Sequence, residues 1–585
     1  MTLSDLSDFS ALRRRTLVFG SIASASLAGC ALPWSSPSTV RGRPLIARID
    51  IPGDARFVAL ARAVLALQAA VTPDFASQSG LVDDAKVVPS YAPSRVADRT
   101  ARLRAAMDGL RALPWRDWDV DRQIDLRWTY ANAERLLHEL TVERLYLHRP
   151  AAWLEPLGNN FINLLTWAPQ RRDALDAISA GVPAMVAEIE LQCLPTQVDA
   201  KVALGVLDGI VAVLRATAPA GTEAAVNALL RYRARLSGLK ATEPYRVVGE
   251  AAYTWRLQRA TLLPWGPQDL LRMAERRLAQ VDAELAVLTP KLPPSPDFEL
   301  PLPEPMEQAA VRLDQTSLLA LYDAIQQRLR AHTQNTGFVT IPAGVGAIRA
   351  RVTPDAMVPL TGDGGSMNPP PPYIADDTGW WNVEHHNPAM SLSERRRRVW
   401  VAMRPELVGM GPYAVHEGMP GHHLQLAIAR LNPNPLRNVF ADPVQNEGWA
   451  LYAEQLMWEQ GGLGPTPQAR AAMLRGWRGR IRRVFYDVNV ATGRWTLQQA
   501  ADWRMQVGAG EGLINPEIQR AVNWPAQLMC YFTGKEQILA LKDDCRARWG
   551  SSFSERRFND ELLAMGSVPY VFARAKLLGE PVPGL

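Results

Sequence analysis

Eight histidines are few for 585 residues, and five of them (His385, His386, His416, His422 and His423) fall in one short window. Its centre reads Val415-His416-Glu417-Gly418-Met419-Pro420-Gly421-His422-His423. Two imidazoles that converge on one ion, with a carboxylate beside the first, are the parts of a metal-activated hydrolytic site. The usual spacing is His-Glu-x-x-His, because four residues advance a helix by about 400° and return to the same face. Here the fourth position after His416 is Pro420, which cannot ligate. The next imidazoles stand six and seven residues on. The seventh returns to the face but rises roughly 10 Å, and the sixth points about 120° away. Proline withholds the amide that would bond the carbonyl of His416, and glycine permits a kink, so a regular helix is not expected. A two-residue bulge would bring His422 to the second ligand position, with His423 as the alternative.

A third ligand is sought downstream, in Asn446-Glu447-Gly448-Trp449-Ala450-Leu451-Tyr452-Ala453-Glu454. This run opens an apolar helix and resembles the Asn-Glu-Gly-(aromatic)-Ala segment of gluzincin aminopeptidases, in which that Glu binds zinc. Two His and one Glu leave an open coordination position, the catalytic pattern rather than the closed structural one. His416, His422 and Glu447 are thus the expected ligands of a Zn2+ or similar divalent ion, and Glu417 the general base that takes a proton from water. Tyr531 and Arg520 are candidates for stabilising the oxyanion. Arg520 has two alternatives, a substrate carboxylate or a structural pairing with Glu517. Glu454 and Asp487 are candidates to orient ligand histidines from behind. His385 and His386, beside Trp380-Trp381, read as a cleft wall or a solvated loop.

As a set, the run His-Glu-x-x-Pro-Gly-His-His followed by Glu-Gly-Trp-Ala-Leu-Tyr-Ala-Glu resembles the DUF885 proteins, a bacterial group of zincin-like metallopeptidases by prediction. The resemblance continues through Asp487, Trp495-Thr496, Arg520, Trp524-Pro525-Ala526-Gln527, Tyr531, Gly534-Lys535 and Phe558-Asn559-Asp560 to Leu563-Ala564-Met565-Gly566. It implies a mostly helical, metal-dependent hydrolase, often an exported lipoprotein. The chain departs from the pattern at Asn489 and Ala491, where Gly and His are usual, and at Asn559, where His is usual. Those departures support a rival reading: an inactive lipoprotein that keeps the fold to bind peptides or other partners.

The elements that must position these residues are mainly helices. From about 54 to 285 the apolar residues recur at helical period, and helices resume from 394. Prolines crowd 290–305 and mark a boundary. Residues 337–360 read as short strands, and 361–390 as a loop. The expected architecture is mainly α, zincin-like, with a small β element and two helical halves around a cleft. The halves span 51–290 and, carrying the catalytic site, 291–585. No Gly-x-Ser-x-Gly elbow suggests a serine hydrolase.

Residues 1–29 read as an export signal. Arg13-Arg14-Arg15 precede a short apolar run, and Arg14-Arg15-Thr16-Leu17-Val18 resembles a twin-arginine signal. Leu27-Ala28-Gly29-Cys30 resembles a lipobox, so residues 30–50 read as a lipidated Cys30 and a tether. Ala31 after the cysteine points to the periplasmic face of the outer membrane. The net charge is +5, and removing the signal takes three Arg and two Asp with it, leaving about +4. So small an excess gives no case for nucleic acid. The basic residues are 57 Arg against 7 Lys, and genomic base composition is the plain explanation. Cys193, Cys530 and Cys545 remain, an odd number, and no Cys-x-x-Cys pair suggests a thiolate metal site.

Overall fold

The computed structural model describes residues 46–239, 246–294, 296–355, 357–404, 410–508 and 516–585. The expected signal and Cys30 lie outside them. Ile46, Ile49 and Ile51 are already buried, so the last residues of the expected tether belong to the folded body. Among the described residues no helix is long and apolar enough to cross a membrane.

The fold is mainly helical with one small sheet. The N-terminal half includes α1 (Pro73–Gln78), α2 (Val120–His138), α3 (Ala151–Trp167) and α4 (Pro267–Leu288). In the C-terminal half the site depends on α5 (Gln315–Thr336), α6 (Met410–Glu417), α7 (His422–Arg430), α8 (Pro443–Glu459), α9 (Pro467–Ala491), α10 (Pro516–Asn523), α11 (Cys530–Trp549) and α12 (Glu555–Ala564). Helix starts follow local chemistry. Asp442 caps α8 by accepting from the amides of Val444 and Gln445, with Pro443 in the first turn. Thr466 caps α9 in the same way.

The sheet comprises β1 (Ile348–Val352), β2 (Ser366–Asn368) and β3 (Gly379–Val383) in the order β1-β3-β2. β3 runs parallel to β1 and antiparallel to β2. Alternation divides its faces: Ala350, Trp381 and Val383 are buried, and Trp381 packs against Tyr322 of α5, ring centroids 5.2 Å apart. The other face carries Arg351, Trp380, Asn382 and Asn368. Two sequence expectations are corrected here. Residues 361–390 are not all loop, since they contain β2 and β3. Gly337–Ile341 is not a strand: Gly337 ends α5 in the left-handed region (φ 64°), and the segment then docks by hydrogen bonds from Thr340 to Asp560 and from Asn559 to the Phe338 carbonyl.

One apolar core runs from Ile46 to Ala573 and draws on both halves, with a smaller cluster around Tyr486, Val490 and Ile518. The proline segment after α4 therefore interrupts the helices but not the core. α4 lies along α9, fastened by Arg470–Glu284 and Arg478–Asp282 pairs. Cys193, Cys530 and Cys545 are buried free thiols.

Candidate metal centre

His416 and Glu417 are the last two residues of α6, and His422 is the first of α7. The expected bulged helix is instead a broken one. The helix stops at Glu417, a tight turn with a cis Met419–Pro420 peptide follows, and a new helix starts. Only glycine fits at 421, where a Cβ would lie 2.1 Å from the Val415 carbonyl and 2.2 Å from that of His416. Two side chains hold the turn. Gln326 of α5 donates to the Ala414 carbonyl (2.9 Å) and accepts from the Met419 amide (3.2 Å). The Trp449 indole donates to the Pro420 carbonyl (2.8 Å), fixing the turn to α8 two residues past Glu447.

The turn brings the two imidazoles together, ring centroids 4.7 Å apart and nearly perpendicular. Oε2 of Glu447 lies 3.3 Å from Nε2 of His422 and 3.6 Å from Nε2 of His416. One donor atom from each residue falls within 4.8 Å of the others. Ligands held at about 2.1 Å around a tetrahedral ion sit roughly 3.4 Å apart, so the spacing suits such an ion. Glu447 Oε2 is buried and makes no hydrogen bond among the described residues. The donor set therefore fits a divalent ion on chemistry as well as distance.

Behind the triad, Glu454 Oε1 lies 2.9 Å from Nδ1 of His416, which turns Nε2 toward Glu447. Burial opposes charge on the His416 ring, but the Glu447 and Glu454 carboxylates outweigh it and push the imidazole up to about 9. For Glu447, burial opposes ionisation, yet both histidines hold the carboxyl well below its usual range. Burial pushes Glu417 upward, against the pull of His416 and His422.

Tyr531 stands one layer out, its ring 6.1 Å from that of His416 and nearly parallel to it. Its hydroxyl accepts from Nη2 of Arg520 (2.9 Å), which also donates to Gln527 (2.7 Å). Glu517 makes its paired hydrogen bonds with Arg483, whose guanidinium lies 4.6 Å from the Tyr531 ring centre. Tyr531 reaches the site because α8 and α11 cross at glycines. A Cβ at Gly448 would lie 2.5 Å from the Gly534 backbone, and one at Gly534 would lie 2.1 Å from the Val444 carbonyl.

Two candidates fall elsewhere, and His385 lies in a loop as expected. His423 faces the sheet, its ring against Gly379 and its Nε2 3.1 Å from the Gly346 carbonyl. Burial lowers it to about 4. Among the described residues Asp487 meets no histidine: it accepts from the amides of Ala526 and Met529 and so braces the loop that carries Gln527 into α11. His385 is partly exposed between Asp363 and Asp355. Two of the three family departures lie in structural ties: Asn489 donates to the Phe485 carbonyl, and Asn559 accepts from Tyr452. Sequence reasoning missed Gln326 and Arg483. Gln326 carries no motif, and Arg483 is hidden in an Arg-rich helix.

A family model described as a bacterial protein of unknown function, DUF885, matches residues 73–577. No curated protein matches the chain. Among solved structures, a candidate lipoprotein of unknown function from Shewanella oneidensis is 18% identical with a TM-score of 0.68, over 90% of this chain and 100% of that one. A candidate lipoprotein from Colwellia psychrerythraea is 16% identical with a TM-score of 0.69, over 90% and 99%. At these identities the likeness is one of fold.

Proposed function

This chain belongs to the DUF885 family of bacterial proteins, and we propose that it is a metal-dependent peptidase of the cell envelope. One observation carries the reading: His416, His422 and Glu447 meet at ligand spacing with Glu417 beside them. Zinc or a similar divalent ion in this triad would supply Lewis-acid polarisation of water and of a peptide carbonyl. The chain's own residues would do the rest. Glu417, its carboxyl raised by burial, takes a proton from the attacking water and returns it to the leaving amine. The Tyr531 hydroxyl, held by Arg520, donates to the oxygen on which charge develops, with the guanidinium behind it. Glu454 keeps His416 in the tautomer that presents Nε2 to the ion.

Envelope attachment through Cys30 belongs to the same reading. It draws on the leader and lipobox pattern and on the candidate lipoproteins that share the fold. Metal analysis of purified protein, paired with peptide-cleavage assays, tests the whole. About one ion per chain is expected, lost in His416→Ala. Glu417→Gln keeps the ion and loses roughly 100-fold or more of the activity. Zinc-replete protein that holds no ion would end the proposal in favour of the non-catalytic, peptide-binding alternative.

A further inference from the structure

Tyr531 is placed by Arg520, and Arg520 by the chain around the end of α10. Residues 524–529 join α10 to α11 and carry Gln527, which shares Arg520 with Tyr531. Both of those bonds leave one nitrogen of Arg520, Nη2, and its Nε is buried without a hydrogen bond among the described residues. The guanidinium therefore owes much of its place to the rings beside it. It lies 5.7 Å from the Tyr531 ring centre and 6.0 Å from that of Trp524, within reach of a cation–π attraction to each.

Trp524 is 43% exposed, so packing alone does little to fix its indole. Its anchor comes from the other half of the molecule. Glu155 of α3 accepts from the Trp524 indole through Oε2 (2.7 Å) and from the Asn523 side chain through Oε1 (2.9 Å). One carboxylate thus holds both the ring and the last residue of α10, and a charged acceptor strengthens each bond. Arg149, two residues before α3, adds a bond to the Val522 carbonyl.

The segment has reason to be held. Ala526 takes φ 67°, a left-handed conformation disfavoured outside glycine that persists only where the surroundings over-determine it. Asp487 supplies part of that constraint at the Ala526 and Met529 amides. α10 itself is fastened at its start, where Glu517 pairs with Arg483 of α9, and at its end, where Asn523 meets Glu155. Arg520 stands midway, about one helical turn from each fastening. Releasing the Glu155 end frees Trp524 and the end of α10, and with them the guanidinium that carries the Tyr531 hydroxyl.

We infer that Glu155, from the N-terminal half, is a positioning residue for Tyr531, acting through Trp524 and Arg520. The inference rests on the peptidase reading above, in which the Tyr531 hydroxyl meets the developing oxyanion. Glu155→Ala removes the anchor at a helical position that suits alanine. Trp524→Phe removes only the indole donor, at an exposed position, and decides the matter should the first variant fold poorly. In metal-loaded protein each should lower kcat and kcat/KM together by about tenfold, with KM within about twofold, because only the transition state uses the hydroxyl. In a Tyr531→Phe background neither should cost more than about twofold further, since residues acting through one group are not additive. Undiminished kcat in both variants, or the same loss with and without the Tyr531 hydroxyl, overturns the inference. A second readout needs no turnover. In protein labelled with 3-fluorotyrosine, the fluorine resonance that vanishes in Tyr531→Phe should move in Glu155→Ala and in Trp524→Phe. A wild type that cleaves no peptide while that resonance moves would sink the peptidase reading and keep Glu155 as the anchor of Tyr531. Normal turnover with an unmoved resonance would do the reverse.

Discussion

His416 has a carboxylate at each ring nitrogen, Glu454 at Nδ1 and Glu447 at Nε2. Glu454→Ala removes the partner that fixes the tautomer, and metal affinity should fall about 10- to 100-fold in a chelator competition. Unchanged affinity would reduce Glu454 to a packing residue. Lys535 makes a second prediction at this scale. It is fully buried, its amine 3.3 Å from the Trp477 ring centre and without a hydrogen bond among the described residues. Burial lowers it to about 7, against the pull of Glu454 and Glu536, from an ordinary 10.5. Between those values the unfolded chain binds the proton more tightly than the folded one, so this lysine's contribution to stability rises with pH across the window. Below it the buried charge is a penalty in the fold. Lys535→Met should raise the melting temperature near pH 7 and narrow the gap by pH 10, and a lower melting temperature at both pH values would contradict this. The triad was legible in the sequence because histidine is scarce and two of the three ligands sit in one run. The face of Asp487 was not, since residue type and helical period do not say which neighbour a buried carboxylate meets.

Between helices, the site depends on the close crossing of α8 and α11 at Gly448 and Gly534. Gly448→Ala places a methyl 2.5 Å from backbone that cannot swing away, so the helices must separate. A cost of about 1–3 kcal/mol is expected in stability, together with a loss of activity, because Glu447 and Tyr531 ride on the two helices. An active variant with wild-type melting would show that the crossing is slack. The helices themselves were readable from their period and caps. The sheet was harder to see. β2 has three residues, and β3 emerges from a stretch rich in Gly and Pro with only Trp380-Trp381 to mark it. Partners from distant segments decide such short strands: β1 gives β3 its hydrogen bonds, and α5 covers Trp381. The same distance hid Gln326, whose role exists only once α5 lies beside the turn.

Across the whole molecule, the two halves are joined by arginine. Arg437 reaches Asp125 (2.6 Å) and Asp121 (3.1 Å) of α2, and Arg277 of α4 reaches Glu536 of α11. A guanidinium can bond a carboxylate through two nitrogens and still stack on a ring, and Arg277 does both, with Trp477 as the ring. The excess of Arg over Lys, neutral as composition, thus has structural uses. Arg437→Ala leaves Asp125 buried without its partner. A loss of about 3–5 kcal/mol is expected, read as a clear fall in melting temperature, and wild-type melting would show that solvent replaces the pair. The broken helix at Gly421 has a consequence of a different kind. Because chain direction changes between His416 and His422 and again before Glu447, an ion shared by the three would act as a removable staple across a loop of some thirty residues. A staple withdraws freedom from the unfolded chain. The segment from α6 to α8 should then be the part of the protein that a chelator exposes first to a protease, while the arginine-fastened seams hold.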